Sequence, residues 1–178
     1  MSYLLRHVVS PCLLIGLLAS SSAWASTYTD TSHQFSFNVP AGWKVRPGVL
    51  EGKQVLRVIP PKADQRERAA IEVYVLTRKQ NRRETLDRWS RQLRKADGDR
   101  EAASVLKLSA RPARLVAEYR EGRIVASGLW IVRHNLQVLL PGNGKHMLEA
   151  RCAANASEFK TYRRQMESVC LSVNWLHP

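Results

Sequence analysis

Phe35-Ser36-Phe37-Asn38-Val39-Pro40-Ala41-Gly42-Trp43-Lys44 is the stretch on which the reading of the fold turns. Phe35, Phe37 and Val39 alternate with Ser36 and Asn38, so a strand here has one apolar and one polar side. Pro40-Ala41-Gly42 then breaks the strand, since proline lacks the donor a ladder needs and glycine enters turn conformations at little cost. Trp43 restarts the chain with a large apolar side chain just past the turn.

Working outward, the same period recurs. Val55, Leu56, Val58 and Ile59 form a second apolar segment ending at Pro60-Pro61, and the charged stretch Lys62 to Arg68 reads as an exposed loop. Ile71, Val73 and Val75 alternate again. Further strands are expected at Val105–Leu108, Ala113–Tyr119 and Arg123–Val132, with a turn at Glu121-Gly122 between the last two. Leu136–Leu140 and His146–Cys152 flank Pro141-Gly142-Asn143-Gly144, a hairpin turn by composition.

Two segments change to helical spacing. Leu86, Trp89, Leu93 and Ala96 share one face of a helix predicted over about 82–96, with Asn81 and Glu84 in capping-box spacing and Asp97-Gly98 as its end. A second helix is predicted over about 156–173, capped by Asn155, with Phe159, Tyr162, Met166, Val169, Cys170 and Val173 on one stripe. Short turns between strands favour antiparallel pairing, and two amphipathic helices need a face to cover. The fold class is therefore α+β, a twisted antiparallel sheet with both helices packed on it.

Residues 1–25 read as a cleavable signal peptide. Arg6 and His7 precede an apolar run from Val8 to Leu18, and Ala23-Trp24-Ala25 offers small residues for cleavage. The run is shorter than the roughly 20 apolar residues of a membrane span. Uncleaved, it would tether the domain to the membrane. Of 178 residues, removal of 1–25 leaves 153 (26–178), enough for a single domain with its own core. Cys152 and Cys170 remain, and an even count in an exported chain favours a disulfide between the last helix and its preceding strand.

The stretch 35–44, an aromatic-x-apolar strand followed by P-x-G-W, resembles the opening of the PsbP-like superfamily. That group includes the extrinsic photosystem II protein and the bacterial DcrB-like envelope proteins. The later order also matches: strands, a helix, a strand starting near Pro112-Ala113, and a final helix. One departure is Arg111, where the family pattern would place glycine. The resemblance implies a twisted antiparallel sheet backed by helices. It implies no single activity, but protein binding recurs among its members, some of them immunity proteins.

Motifs for chemistry are sparse. His33, His134, His146 and His177 show no metal-ligand spacing, and no nucleophile elbow occurs. Gly142-Asn143-Gly144-Lys145 lacks the spacing of a phosphate loop and reads as a turn, and nothing groups Glu118, Glu121 and Glu149 into a carboxylate pair. No cofactor, metal or catalytic residue is implied, and a hydrolase is the minority reading.

Charge is the distinctive feature. The formal net charge is +13, falling to about +12 without Arg6, and 20 of the 28 basic residues are arginine. They concentrate between Arg78 and Arg100, and Arg82, Arg83, Arg88, Arg91 and Lys95 form the candidate partner-binding surface. Glu84–Arg88 and Asp87–Arg91 have the spacing of i,i+4 ion pairs, which would absorb part of that charge. Lys160, Arg163 and Arg164 add more on the last helix. Nucleic acid would be the usual partner for such charge, but export argues against it. The expected function is a periplasmic, non-catalytic binding domain for an acidic envelope protein, an accessory or immunity factor. Anionic lipid head groups or cell-wall polymer are the alternative ligands.

Overall fold

The computed structural model describes residues 26–50, 52–61, 71–80, 85–124, 128–142 and 146–177. The signal-peptide segment 1–25, the loop expected at 62–68, the capping pair Asn81 and Glu84, and the site residues Arg82 and Arg83 lie outside them. Among the described residues there are ten strands and two helices: β1 (Ser26–Asp30), β2 (Phe35–Val39), β3 (Lys44–Leu50), β4 (Lys53–Ile59), β5 (Ile71–Lys79), α1 (Leu86–Leu93), β6 (Ser104–Ala110), β7 (Ala113–Ile124), β8 (Trp130–Pro141), β9 (His146–Asn155), α2 (Ala156–Cys170) and β10 (Asn174–Trp175). They form a three-stranded sheet in the order β1-β2-β10 and a seven-stranded sheet in the order β3-β4-β5-β9-β8-β7-β6. Every pairing is antiparallel. The fold is α+β, as the sequence predicts.

The Pro40–Trp43 turn closes with the Trp43 amide donating to the Pro40 carbonyl at 3.0 Å. Gly42 sits at φ +78°, the left-handed value a type II turn requires at that position. The turn delivers Trp43 into the core, edge-on to Tyr162 of α2 with ring centroids 5.9 Å apart. Phe35, Phe37 and Val39 are buried in the same core as Val73, Val75, Leu136, Val138 and Leu148, so both sheets close over one apolar interior.

α2 covers that interior. Asn155 caps it by accepting the Glu158 amide at 2.9 Å, as expected. Phe159, Met166, Val169 and Cys170 are buried under it, and Cys170 is bonded to Cys152 of β9. The helix stops at Cys170, three residues short of the predicted end, yet Val173 remains buried. The Arg114 guanidinium accounts for the stop, donating to the Leu171 and Val173 carbonyls at 2.7 and 2.8 Å. It satisfies acceptors that a continuing helix would have used.

Three expectations are corrected. α1 is shorter than 82–96: the Thr85 hydroxyl caps it at 3.2 Å from the Arg88 amide, and it ends at Leu93. There the Leu93 carbonyl is taken by the Ala103 amide at 2.6 Å instead of by a next helical turn. Secondly, Glu121-Gly122 is no turn. β7 runs on to Ile124, and Gly122 makes room for the Trp130 indole, which would lie 2.0 Å from a Cβ there. Consequently the strand expected at 123–132 is split between the ends of β7 and β8. Thirdly, β9 extends three residues past Cys152, to Asn155. The Gly142 turn is as read, its amide donating to the His146 carbonyl at 2.8 Å, while 143–145 lie outside the described residues.

Candidate functional site

The seven-stranded sheet has a dry face under α2 and an outer face of different chemistry. Alternation along β5, β9 and β8 turns Glu72, Tyr74 and Arg78, Glu149 and Arg151, and Arg133, Asn135 and Gln137 outward. Glu72 pairs with Arg133 at 2.7 Å and Arg123 at 3.5 Å. Glu149 is bound by Arg78 and Arg151, both at 3.3 Å, and accepts from Gln137 at 2.7 Å. Arg133 is only 2 % exposed, so its charge depends on Glu72 for compensation. Burial raises the phenol pKa of both Tyr74 and Tyr119, which stay neutral among these cations.

This network changes the charge inventory. Arg78 opens the basic run in the sequence, yet it is engaged by Glu149, stacks on Trp89 at 4.8 Å and donates to the Met147 sulfur at 3.3 Å. Arg100, at the other end of the run, is also committed. Its guanidinium donates to the carbonyls of Leu93, Lys95, Gln92 and Glu101 at 2.8–3.3 Å and lies over Tyr119. It serves as the C-terminal cap of α1. On α2, Arg163 bonds Glu167 at 2.8 Å and Glu118 at 3.1 Å, and these contacts raise its pKa. Glu118 is therefore on the α2 side of the sheet and Glu149 on the outer side.

One group of uncommitted cations lies on α1. Leu86, Trp89 and Leu93 pack against Leu115, Ala117, Tyr119, Leu139 and Met147, and the opposite face presents Arg88, Arg91, Arg94 and Lys95, all exposed. The expected Asp87–Arg91 pair is not formed, and none of the four cations has an ion-pair partner among the described residues. The structure thus groups Arg88, Arg91 and Lys95 and adds Arg94. Arg94 is the C-cap residue of α1.

A second group of cations escaped the sequence reading. Arg46 and Arg57 stand directly opposite each other on β3 and β4 and, with Lys44, line a cleft of about 540 Å³ shared with Glu72. Like charges in that register repel. The Arg57 stem crosses Gly48, where a Cβ would lie 2.6 Å from its Cδ. The signal was the pair of arginines at strand spacing, legible only once the register is known. His33, His146 and His177 line another cleft of about 350 Å³. Among the described residues no His, Cys, Asp or Glu group is placed to hold a metal ion, and no helix is long and apolar enough to cross a membrane.

The architecture has solved counterparts. Cyanobacterial PsbP (CyanoP) from Synechocystis superposes with a TM-score of 0.54 at 18% identity, over 94% of this chain and 98% of that one. The chain has a PsbP-like fold. The same fold is shared with LpqN, described as involved in cell envelope biogenesis of Mycobacterium tuberculosis, with a TM-score of 0.53 at 11% identity over 85% of this chain and 90% of that one. A Bacteroides thetaiotaomicron protein gives 0.51 at 16% identity, covering 84% of this chain and 47% of that one. No family model matches the sequence, and no curated protein matches it. At such identities the PsbP-like likeness concerns the fold, and function has to be argued from the site.

Proposed function

We propose that the chain is an exported, non-catalytic protein-binding domain of the bacterial envelope that grips an acidic partner through α1, as an accessory or immunity factor. The observation that carries this reading is the unequal use of arginine. Arg78, Arg133, Arg100 and Arg114 are used inside the fold, whereas Arg88, Arg91, Arg94 and Lys95 are grouped on one exposed helix face with no ion pair among the described residues. Exposed cations of one sign speed encounter with an acidic surface and select against basic ones. The Cys152–Cys170 disulfide is compatible with an oxidising compartment such as the periplasm. LpqN, with the same fold, is named for envelope biogenesis.

Residues 1–25 would direct export, and a chain that kept them would work tethered to the membrane. The test is cross-linking of the tagged chain in living cells, followed by identification of the captured protein. Arg88→Glu, Arg91→Glu and Lys95→Glu together are expected to cut its recovery about tenfold while leaving the melting temperature in place. Undiminished recovery, or no acidic protein captured at all, sinks the reading.

A further inference from the structure

Towards their shared end, β7 and β8 carry an exposed apolar patch among the described residues. Ile124 is 63%, Leu129 61%, Trp130 51% and Val132 46% exposed. The register places three of them together: Ile124 pairs with Trp130 and Gly122 with Val132, so Ile124, Trp130 and Val132 share one side of the ribbon, and Leu129 precedes Trp130 just outside the ladder. The Trp130 indole lies against Gly122. On the other side Glu121, Arg123 and Arg133 face the outer network, where Arg123 and Arg133 bind Glu72. The tip is therefore an amphipathic ribbon whose apolar side continues the α2 face of the sheet beyond the helix.

Cations flank that side. Arg120 is in line with Gly122 and Ile124 and is paired with Glu101 at 2.9 Å. α2 starts beside the tip, since its cap Asn155 is in register with Arg133, three residues from Trp130. Its exposed Lys160 and Arg164 have no ion-pair partner among the described residues. Of the carboxylates around it, Glu101 is bound by Arg120 and Glu118 by Arg163, and Glu121 is turned to the opposite side. Tryptophan at the end of an apolar patch, rimmed by cations, is the composition that settles at an anionic bilayer interface. A second copy fits less well, because both copies would bring the same positive rim and a net charge of +13.

We propose that the β7–β8 tip docks the domain on an anionic phospholipid surface, with Leu129 and Trp130 entering the interfacial zone and Lys160 and Arg164 meeting the head groups. This is a separate surface from α1 and stands independently of the protein-binding reading.

The test is co-sedimentation of the full chain with vesicles of phosphatidylglycerol and phosphatidylcholine, against phosphatidylcholine alone. All variants keep the same N-terminus, so residues 1–25 contribute equally. Binding is expected on the anionic vesicles only. Trp130→Ala should weaken it about tenfold, the order expected for withholding one large apolar side chain from the interface. Leu129→Ser removes no packed side chain and guards against misfolding; it should weaken binding severalfold. Val49→Ala, a loss of exposed apolar surface on the distant β3–β4 hairpin, should not change it. Raising salt should reduce binding of wild type and tip variants alike, as exposed charges are screened. No binding to anionic vesicles overturns the proposal. Binding that ignores both tip variants overturns it as well, since the basic surface alone would then be responsible. Tip variants that lose a captured protein but no vesicle affinity would make the tip a protein interface, and that too overturns it.

Discussion

α2 and α1 lie on opposite faces of one sheet and are held there by different means. α2 has fifteen residues, with Phe159, Met166, Val169 and Cys170 at 3 % exposure or less, and it is tied covalently to β9. α1 has eight residues and buries only Leu93 and Ser90. Leu86 and Trp89 are half-covered, and the Trp89 indole nitrogen is buried with no hydrogen-bond partner among the described residues. A helix of that length has little stability of its own. It is placed by contact with β6 and β7 and by the Arg100 fork at its end. The contrast teaches which helix is scaffold. α2 spends its apolar stripe on the core, whereas α1 spends its surface on charge that the fold does not use.

The comparison breaks hardest at Phe159. Its ring is 3 % exposed, beneath Arg163 and beside His134. Phe159→Ala is expected to cost about 3–5 kcal/mol, from lost transfer energy plus the cavity left behind. The check is the midpoint of urea unfolding. Next comes the covalent tie. Cys152→Ser with Cys170→Ser opens a loop of 18-residue separation, and the chain-entropy view puts the loss at about 3 kcal/mol. The melting temperature should drop, and reductant should lower the wild type by a similar amount while leaving the variant unmoved. A variant as stable as wild type would show that apolar contact alone holds α2.

Much of the α2 side was legible from sequence because its determinants are local. The alternation of 35–39, the Pro-x-Gly-Trp turn, the Asn155 cap and the stripe down α2 each lie within a few residues of one another. Cys152 and Cys170 needed only the helix wheel and the compartment. The outer face was not legible, because its partners are far apart in sequence. Arg133 answers Glu72, and Arg100 answers carbonyls seven and eight residues back through space. Counting arginines cannot tell a buried counter-charge from an exposed one, so the count does not separate Arg78 from the exposed cations of α1. Gly122 misled for a related reason. In sequence a glycine after Glu121 signals a turn, while in the fold its missing Cβ is filled by Trp130 from across the hairpin.

Arg100 gives the smallest effect and the sharpest test of how α1 is held. One guanidinium meets four carbonyls at the end of α1 and in the segment beyond it, a geometry that needs the planar fork and its several donors. Lysine keeps the charge but can satisfy only part of that set. Arg100→Lys should therefore cost about 1–2 kcal/mol, the scale of losing hydrogen bonds to a charged group that solvent partly replaces. The loss should be local. Amide hydrogen exchange should quicken across Leu86–Leu93, where the carbonyls lose their cap, and stay unchanged under α2. Because Arg88, Arg91 and Lys95 ride on α1, partner capture should weaken in the same variant although none of the three is altered. Unchanged exchange in α1 would mean that packing of Leu86, Trp89 and Leu93 suffices to place it. Quickened exchange with undiminished capture would separate the order of α1 from the binding assigned to its surface.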